Sequence, residues 1–367
     1  MLSPSSLKAL RYIIQYGQFL NVIPFEWNPD TSTICFKETK SLLWIYSFIT
    51  CYMWVEALYQ FWMVCSEAGD DSVSFESYLK LIIHFASRLV ATIFQTWSLV
   101  FGHKYASFCN QMFNMNQFFQ EISKKRKTSH NQLDRCYKSL WGLFILSVIH
   151  PLTVVCAYIG DYQDRKYWQS NLPTMLYPYA IPLFAFDELI LSIYSDLGVI
   201  VIVSPMFIQI VLTVEWLQII RRNTGCEGFC RCYQILQLFN KTFNETFSFI
   251  WGYTIMSLFL ISVLSCTSAI RLYYILPFPA NLMFPIGQLG LTWVVVFVVR
   301  PGGHLKQLSE EIINEFGVSV QKKKRAAGKS LKSLRIEICS HFILKNSTVS
   351  TFLFEVANAT VTILLMT

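Results

Sequence analysis

The sequence predicts an all-α polytopic membrane protein with seven transmembrane helices, a cytosolic N-terminus and an extracellular C-terminus. Three observations carry that prediction. Of the 367 residues, 53% are hydrophobic and 14% charged, where a soluble domain carries about 25% charge. The apolar residues gather in runs of roughly 20, the length of helix that crosses a bilayer core, rather than alternating as in a barrel strand. The basic residues are also asymmetric. Twenty-five of the 30 Lys and Arg fall in the N-terminal segment and the loops after the second, fourth and sixth runs, and three fall in the intervening loops. Basic loops stay in the cytosol, which fixes both ends.

Residues 1–41 form the cytosolic N-terminal segment, where Lys8, Arg11, Lys37 and Lys40 are set against Glu26, Asp30 and Glu38. Its apolar patch, 12–24, is too short and broken to span. It has no short apolar core followed by a small-residue cleavage site, so the first span is expected to act as its own signal anchor. Residues 42–367 are expected to form one transmembrane domain without internal repeats. Its spans are expected at 42–64, 78–100, 140–159, 180–206, 247–270, 282–299 and 347–367. The fourth apolar region, 177–220, would be about 65 Å long as a helix, twice the hydrocarbon core. No turn with polar residues divides it, only Gly198 and Pro205 in its middle, so it reads as one helix that crosses and then projects into the cytosol to residue 220. Basic or polar loops are expected at 103–138, 221–245 and 300–345. The sequence ends inside the last apolar run, so no tail is expected beyond it.

Four glycosylation sequons begin at Asn240, Asn244, Asn346 and Asn358. The first three fall on the expected cytosolic side and the last inside a span, so none should carry a glycan. The runs Lys124-Lys125-Arg126-Lys127 and Lys322-Lys323-Lys324-Arg325 read as juxtamembrane clusters that set topology and attract anionic lipid; no nucleic-acid partner is expected. Cys226, Cys230 and Cys232 have neither zinc-site spacing nor a nearby His, so no metal is expected there.

Ionisable residues inside spans are functional candidates, because leaving them in lipid is costly. They are Glu56 in the first span, His84 and Arg88 on one face of the second, and Asp187, Glu188 and Asp196 in the fourth. Glu56 or Asp187 is expected to neutralise Arg88. Aromatics near the outer ends, including Tyr59, Trp62, Tyr177, Tyr179, Phe184, Phe186, Tyr273 and Tyr274, suit either a pocket for an organic ligand or an interfacial belt. His84, Arg88, Asp187, Glu188, Tyr177 and Phe184 are the candidate ligand-binding set. In the last run, Ser347, Thr351, Glu355, Asn358 and Thr362 recur every three or four residues and make one polar stripe.

Several function classes are excluded. There is no His-Glu-x-x-His, phosphate loop or nucleophile elbow, so no enzyme activity and no cofactor are expected. The inverted orientation argues against a G-protein-coupled receptor, and the lack of repeats or broken helices in both halves argues against a transporter. These two remain the alternatives.

The whole pattern resembles the insect chemoreceptor superfamily: seven spans, N-terminus inside, a long fourth helix, and a basic loop before a final helix in which the sequence stops. The nearer resemblance is to gustatory receptors. Their last helix carries Thr-Tyr, five apolar residues, then Gln-Phe. Here the stretch is Thr360-Val361-Thr362-Ile363-Leu364-Leu365-Met366-Thr367, with the lead-in Cys339-Ser340-His341-Phe342-Ile343-Leu344 and then Lys345-Asn346-Ser347-Thr348. Val361 and Thr367 replace the Tyr and Gln, Thr362 takes an apolar place, and the final aromatic has no counterpart, so the chain is similar to a divergent member.

The resemblance implies a ligand-gated nonselective cation channel in the plasma membrane. It implies a homo- or heterotetramer with related subunits, opened by a tastant or other small molecule bound in an outward-opening pocket. It also implies a central pore lined by the last helices at Thr360, Leu364 and Thr367, with Leu364 as an apolar constriction. The polar stripe Thr351, Glu355, Asn358 and Thr362 offers a different face for the same role.

Overall fold

The computed structural model describes residues 4–37, 39–70, 72–124, 135–160, 167, 173–223, 226–274, 283–318, 325–326, 329–339 and 342–366. Its helices are α1 (Pro4–Phe19), α2 (Lys40–Glu67), α3 (Phe75–Lys124), α4 (Arg135–Gly160), α5 (Tyr177–Asn223), α6 (Cys226–Arg271), α7 (Met283–Gly317) and α8 (Thr348–Met366). Two small antiparallel pairs accompany them: β1 (Phe25–Asn28) with β2 (Thr33–Phe36), and β3 (Glu337–Ile338) with β4 (Phe342–Ile343). Among the described residues, six helices (α2–α6 and α8) are long and apolar enough to cross a membrane. This is a multi-pass membrane protein. α7 carries the remaining apolar run of the sequence, 286–299.

α5 is a single helix of 47 residues, about 70 Å at 1.5 Å per residue. It is not alone in its length. α3 has 50 residues and α6 has 46, so much of what reads as basic or polar loop at 103–138 and 221–245 is helical. The reason is periodicity. On α3, Tyr105, Phe108, Cys109, Met112, Phe113, Asn116 and Phe119 are all buried, a spacing of three and four that makes one apolar stripe despite the nearby lysines. On α6, Phe229, Tyr233, Leu236, Phe239, Asn240, Phe243 and Phe247 do the same. α7 likewise runs past Arg300 and buries Leu305, Leu308, Ser309 and Ile312.

These extensions pack together through aromatic rings. Phe108 stacks on Phe239 at 5.1 Å, Phe119 on Trp216 at 5.1 Å, and Trp97 on Phe247 at 5.6 Å. The N-terminal segment closes against the same end. α1 buries Ala9, Leu10, Ile13 and Ile14 and sets Tyr16 edge-on to Phe144 of α4 at 5.4 Å. The β1–β2 hairpin lies on α3, where the Asn110 amide donates to the Ile34 carbonyl (2.9 Å) and accepts from the Ile34 N–H (2.8 Å). One side chain thus satisfies the strand's unpaired backbone groups.

Between α7 and α8 the chain returns as an extended strap, 331–338, bound to α6. Asn240 and Asn244 both donate to the Arg335 carbonyl (2.9 and 3.0 Å), and Asn244 accepts from the Glu337 N–H (3.1 Å). Tyr233 shares a hydroxyl contact of 2.9 Å with Ser309 and reaches the Lys332 carbonyl at 3.0 Å. Burial pushes that phenol up to about 12, so it stays a neutral donor. Beyond the strap, Gly303 of α7 faces the backbone of Lys345 and Asn346, and a Cβ there would meet it at 2.5 Å. Glycine allows that close approach, and the base of α8 is seated on α7.

Candidate functional site

A cluster of charged and hydroxyl side chains crosses the interior of α2, α3 and α5. Arg88 donates to Glu188, and both are buried. The expected partners, Glu56 and Asp187, are beside this pair rather than in it. Positions 187 and 188 are about 100° apart on a helix, so Glu188 turns to α3 while Asp187 turns to α2. There the Tyr52 hydroxyl donates to Asp187 at 2.8 Å and lies 3.4 Å from Glu56, one turn along α2. Glu56 is only 7% exposed, whereas Asp187 is half-buried.

One turn towards the N-termini of α3 and α5, the surroundings become aromatic. Phe184 is buried with Tyr158, Tyr167 and Ala180. The His84 ring sits edge-on to Tyr167 at 5.6 Å, and Tyr167 is edge-on to Tyr158 at 4.9 Å. The structure therefore gathers His84, Arg88, Phe184, Asp187 and Glu188 in one region. The side chain of Tyr177 lies outside the described residues. Asp196 is in a separate pair, 2.9 Å from His150 of α4.

Two turns C-terminal of Arg88 on α3, Gln95 ties the same three helices. It accepts from the Tyr46 hydroxyl of α2 and donates to the Tyr194 carbonyl of α5. Its amide occupies the space beside Gly198, where a Cβ would fall on it. Tyr46, Tyr52 and Tyr158 were not singled out from sequence, because a tyrosine in an apolar run has the look of ordinary core, and Tyr167 lies in the polar stretch between two runs. The available signal was position: Tyr52 is one turn from Glu56.

The last helix has two distinct sides. Phe352, Val356 and Thr360 are buried; Thr360 is 4% exposed and donates to the Val356 carbonyl at 2.7 Å. Phe352 meets Phe259 of α6 edge-on at 5.8 Å. Leu364 is half-buried at the rim of that face, and Thr367 lies outside the described residues. Thr351, Glu355, Asn358 and Thr362 are all exposed, on the side opposite the packed one, flanked by the exposed Phe354, Val361, Leu365 and Met366. At the C-terminal end of α8, the Arg271 guanidinium of α6 donates to the Leu364 carbonyl at 3.3 Å, a cation at the negative end of the helix dipole. Of the two basic runs, Lys125, Arg126, Lys127, Lys322, Lys323 and Lys324 lie outside the described residues.

No family model matches this chain, and no curated protein matches it in sequence. Its fold does match solved structures. The insect olfactory receptor OR5 from Machilis hrabei aligns over 98% of this chain and 97% of its own, with a TM-score of 0.66 and 12% identity. The same receptor in complex with eugenol aligns over 99% of this chain and 100% of its own, with a TM-score of 0.63 and 11% identity. At that identity the likeness is one of fold, and it runs the length of both chains.

Proposed function

We propose that this chain is a chemosensory receptor subunit of the insect chemoreceptor superfamily, of gustatory type. In this reading it is a ligand-gated, nonselective cation channel of the plasma membrane. The observation that carries it is the fold likeness to an insect olfactory receptor, which extends end to end with no segment of either chain left over. One of those structures was solved with a small organic molecule, eugenol, which supports a small-molecule ligand here. The proposal includes seven spans with the N-terminus inside, four copies around an axis, and a ligand that enters from outside towards the cluster of α2, α3 and α5.

The last helices of the four copies line the ion path in this proposal. Two faces of α8 compete for that role. The stripe of Thr351, Glu355, Asn358 and Thr362 is favoured by its exposure: an ionisable side chain pointing away from its own chain is costly in lipid, so Glu355 is best placed against water or a second copy. Four such carboxylates near an axis would attract cations. The packing of Thr360 on the buried side of α8 favours the same choice; Leu364, at the rim of that packed side, belongs to the competing face.

The test is tag accessibility in intact cells followed by current recording. An antibody should reach a C-terminal tag and not an N-terminal one. Glu355→Gln should then lower cation conductance several-fold while Leu364→Ala leaves it unchanged; a raised resting current with Leu364→Ala and no effect of Glu355→Gln would assign the pore to the other face. An exposed N-terminal tag would sink the channel reading and return G-protein coupling as the hypothesis to test.

A further inference from the structure

We propose that the cluster of α2, α3 and α5 takes a positively charged organic ligand, a protonated aryl-alkyl amine. This rests on the reading of the chain as a small-molecule receptor and adds the class of molecule.

The charges do not balance within the site. Arg88 is matched by Glu188, which leaves Glu56 and Asp187 without a cation of their own. Both look to one hydroxyl, that of Tyr52, at 3.4 and 2.8 Å. A hydroxyl has one proton to give, so it cannot serve both carboxylates at once. A further acceptor lies next to them. Gln60, 1% exposed, is one turn outward from Glu56 on the same side of α2, and its Oε1 receives no hydrogen bond among the described residues. Around Glu56, Asp187 and Gln60 the shortfall is of donors and positive charge. Buried acceptors without donors are costly, so the site favours a partner that brings several N–H groups and a charge.

The aromatic wall says what else that partner carries. Phe184 is one turn outward from Glu188, and His84 is one turn outward from Arg88, edge-on to Tyr167. Aromatic faces attract ammonium groups and pack against aryl rings. The step from carboxylates to rings is about one helical turn, roughly 5 Å, the reach of a two-carbon spacer between an amine and a ring. A compact metal ion suits the site less well: among the described residues no three His, Cys, Asp or Glu side chains form a metal-ligand group. Half-buried Asp187 and Tyr52 give the ammonium group its way in.

The experiment is direct binding to the purified full-length protein in lipid nanodiscs at neutral pH. The probes are 2-phenylethylamine and its neutral counterpart 2-phenylethanol, read by thermal shift and calorimetry. The amine should bind at least about tenfold more tightly than the alcohol, and Glu56→Gln or Asp187→Asn should each remove about that factor for the amine alone. Phe184→Leu should weaken both probes. Each variant's melting temperature and elution profile are checked first, and Asp187→Asn carries the test if Glu56→Gln does not fold. Equal or tighter alcohol binding, no binding of either probe, or an amine preference that survives both substitutions overturns the proposal. Currents recorded in parallel keep the two readings apart. Selective amine binding without current sinks the channel and keeps the ligand class; current evoked by the alcohol alone does the reverse.

Discussion

Arg88 and Glu188 are the residues whose environment is most demanding. Both are buried, and removing one leaves the other charged with no partner. Arg88→Met should therefore cost about 3–5 kcal/mol, while the double change Arg88→Met with Glu188→Met should restore most of it. Thermal unfolding of the two variants in detergent checks this; equal losses would mean the pair is not the unit of stability. Gly198 is a second such position, because Gln95 fills the space its Cβ would need. Gly198→Ala should cost about 1–3 kcal/mol by overpacking, and pairing it with Gln95→Ala should recover part of the loss. At this scale the sequence was half legible. Charges inside apolar runs are conspicuous, so Arg88, Glu188 and His84 could be named. Which carboxylate Arg88 meets depends on how α3 and α5 are rotated against each other, 100 residues apart in the chain, and no local pattern records that. Gln60 and Tyr167 were invisible for the same reason.

Among the elements, α8 and the strap before it carry the predictions. The strap is held by Asn240 and Asn244 of α6, and removing one amide gives its backbone partners back to water. Asn244→Ala should lose about 0.5–1.5 kcal/mol and raise hydrogen exchange across 331–338 more than elsewhere. Unchanged exchange there would mean that the strap is held by its apolar residues, Leu331, Leu334 and Ile336. The helical stretches within 103–138 and 221–245 read as loops because charge outweighs period in the sequence: lysines raise the polarity of a stretch but do not end a helix. On α8 the polar stripe could be read from spacing alone. The side that packs could not, since it is set by where α6 and α7 lie.

For the molecule as a whole, orientation is the expectation that organises everything else. If the strap side faces the cytosol, glycosidase treatment should leave the electrophoretic mobility of the protein from insect cells unchanged, because Asn240, Asn244 and Asn346 never meet the glycosylation machinery. A shift abolished by Asn240→Gln or Asn244→Gln would reverse the orientation. Composition and loop charge made the class of molecule legible before any contact was known. The path of the chain, shared end to end with a protein of 12% identity, was legible only through topology. Apolar faces tolerate almost any exchange among hydrophobic residues, so the fold outlasts its sequence signature.

The unbroken length of α3, α5 and α6 has a mechanical consequence. Each is a helix of about 70 Å, with the charged cluster in the N-terminal part of α3 and α5 and the ring-stacked bundle at the other end. Leverage then does the work of amplification: a tilt of about 5° at one end sweeps the other through about 6 Å. A molecule that spreads two helices only slightly would have its effect magnified where α7 and the strap hold the foot of the last helix. Distance in this architecture is gain, and if the chain is the receptor proposed above, shortening a rod by one turn at the end away from the charged cluster should blunt the response without touching the ligand.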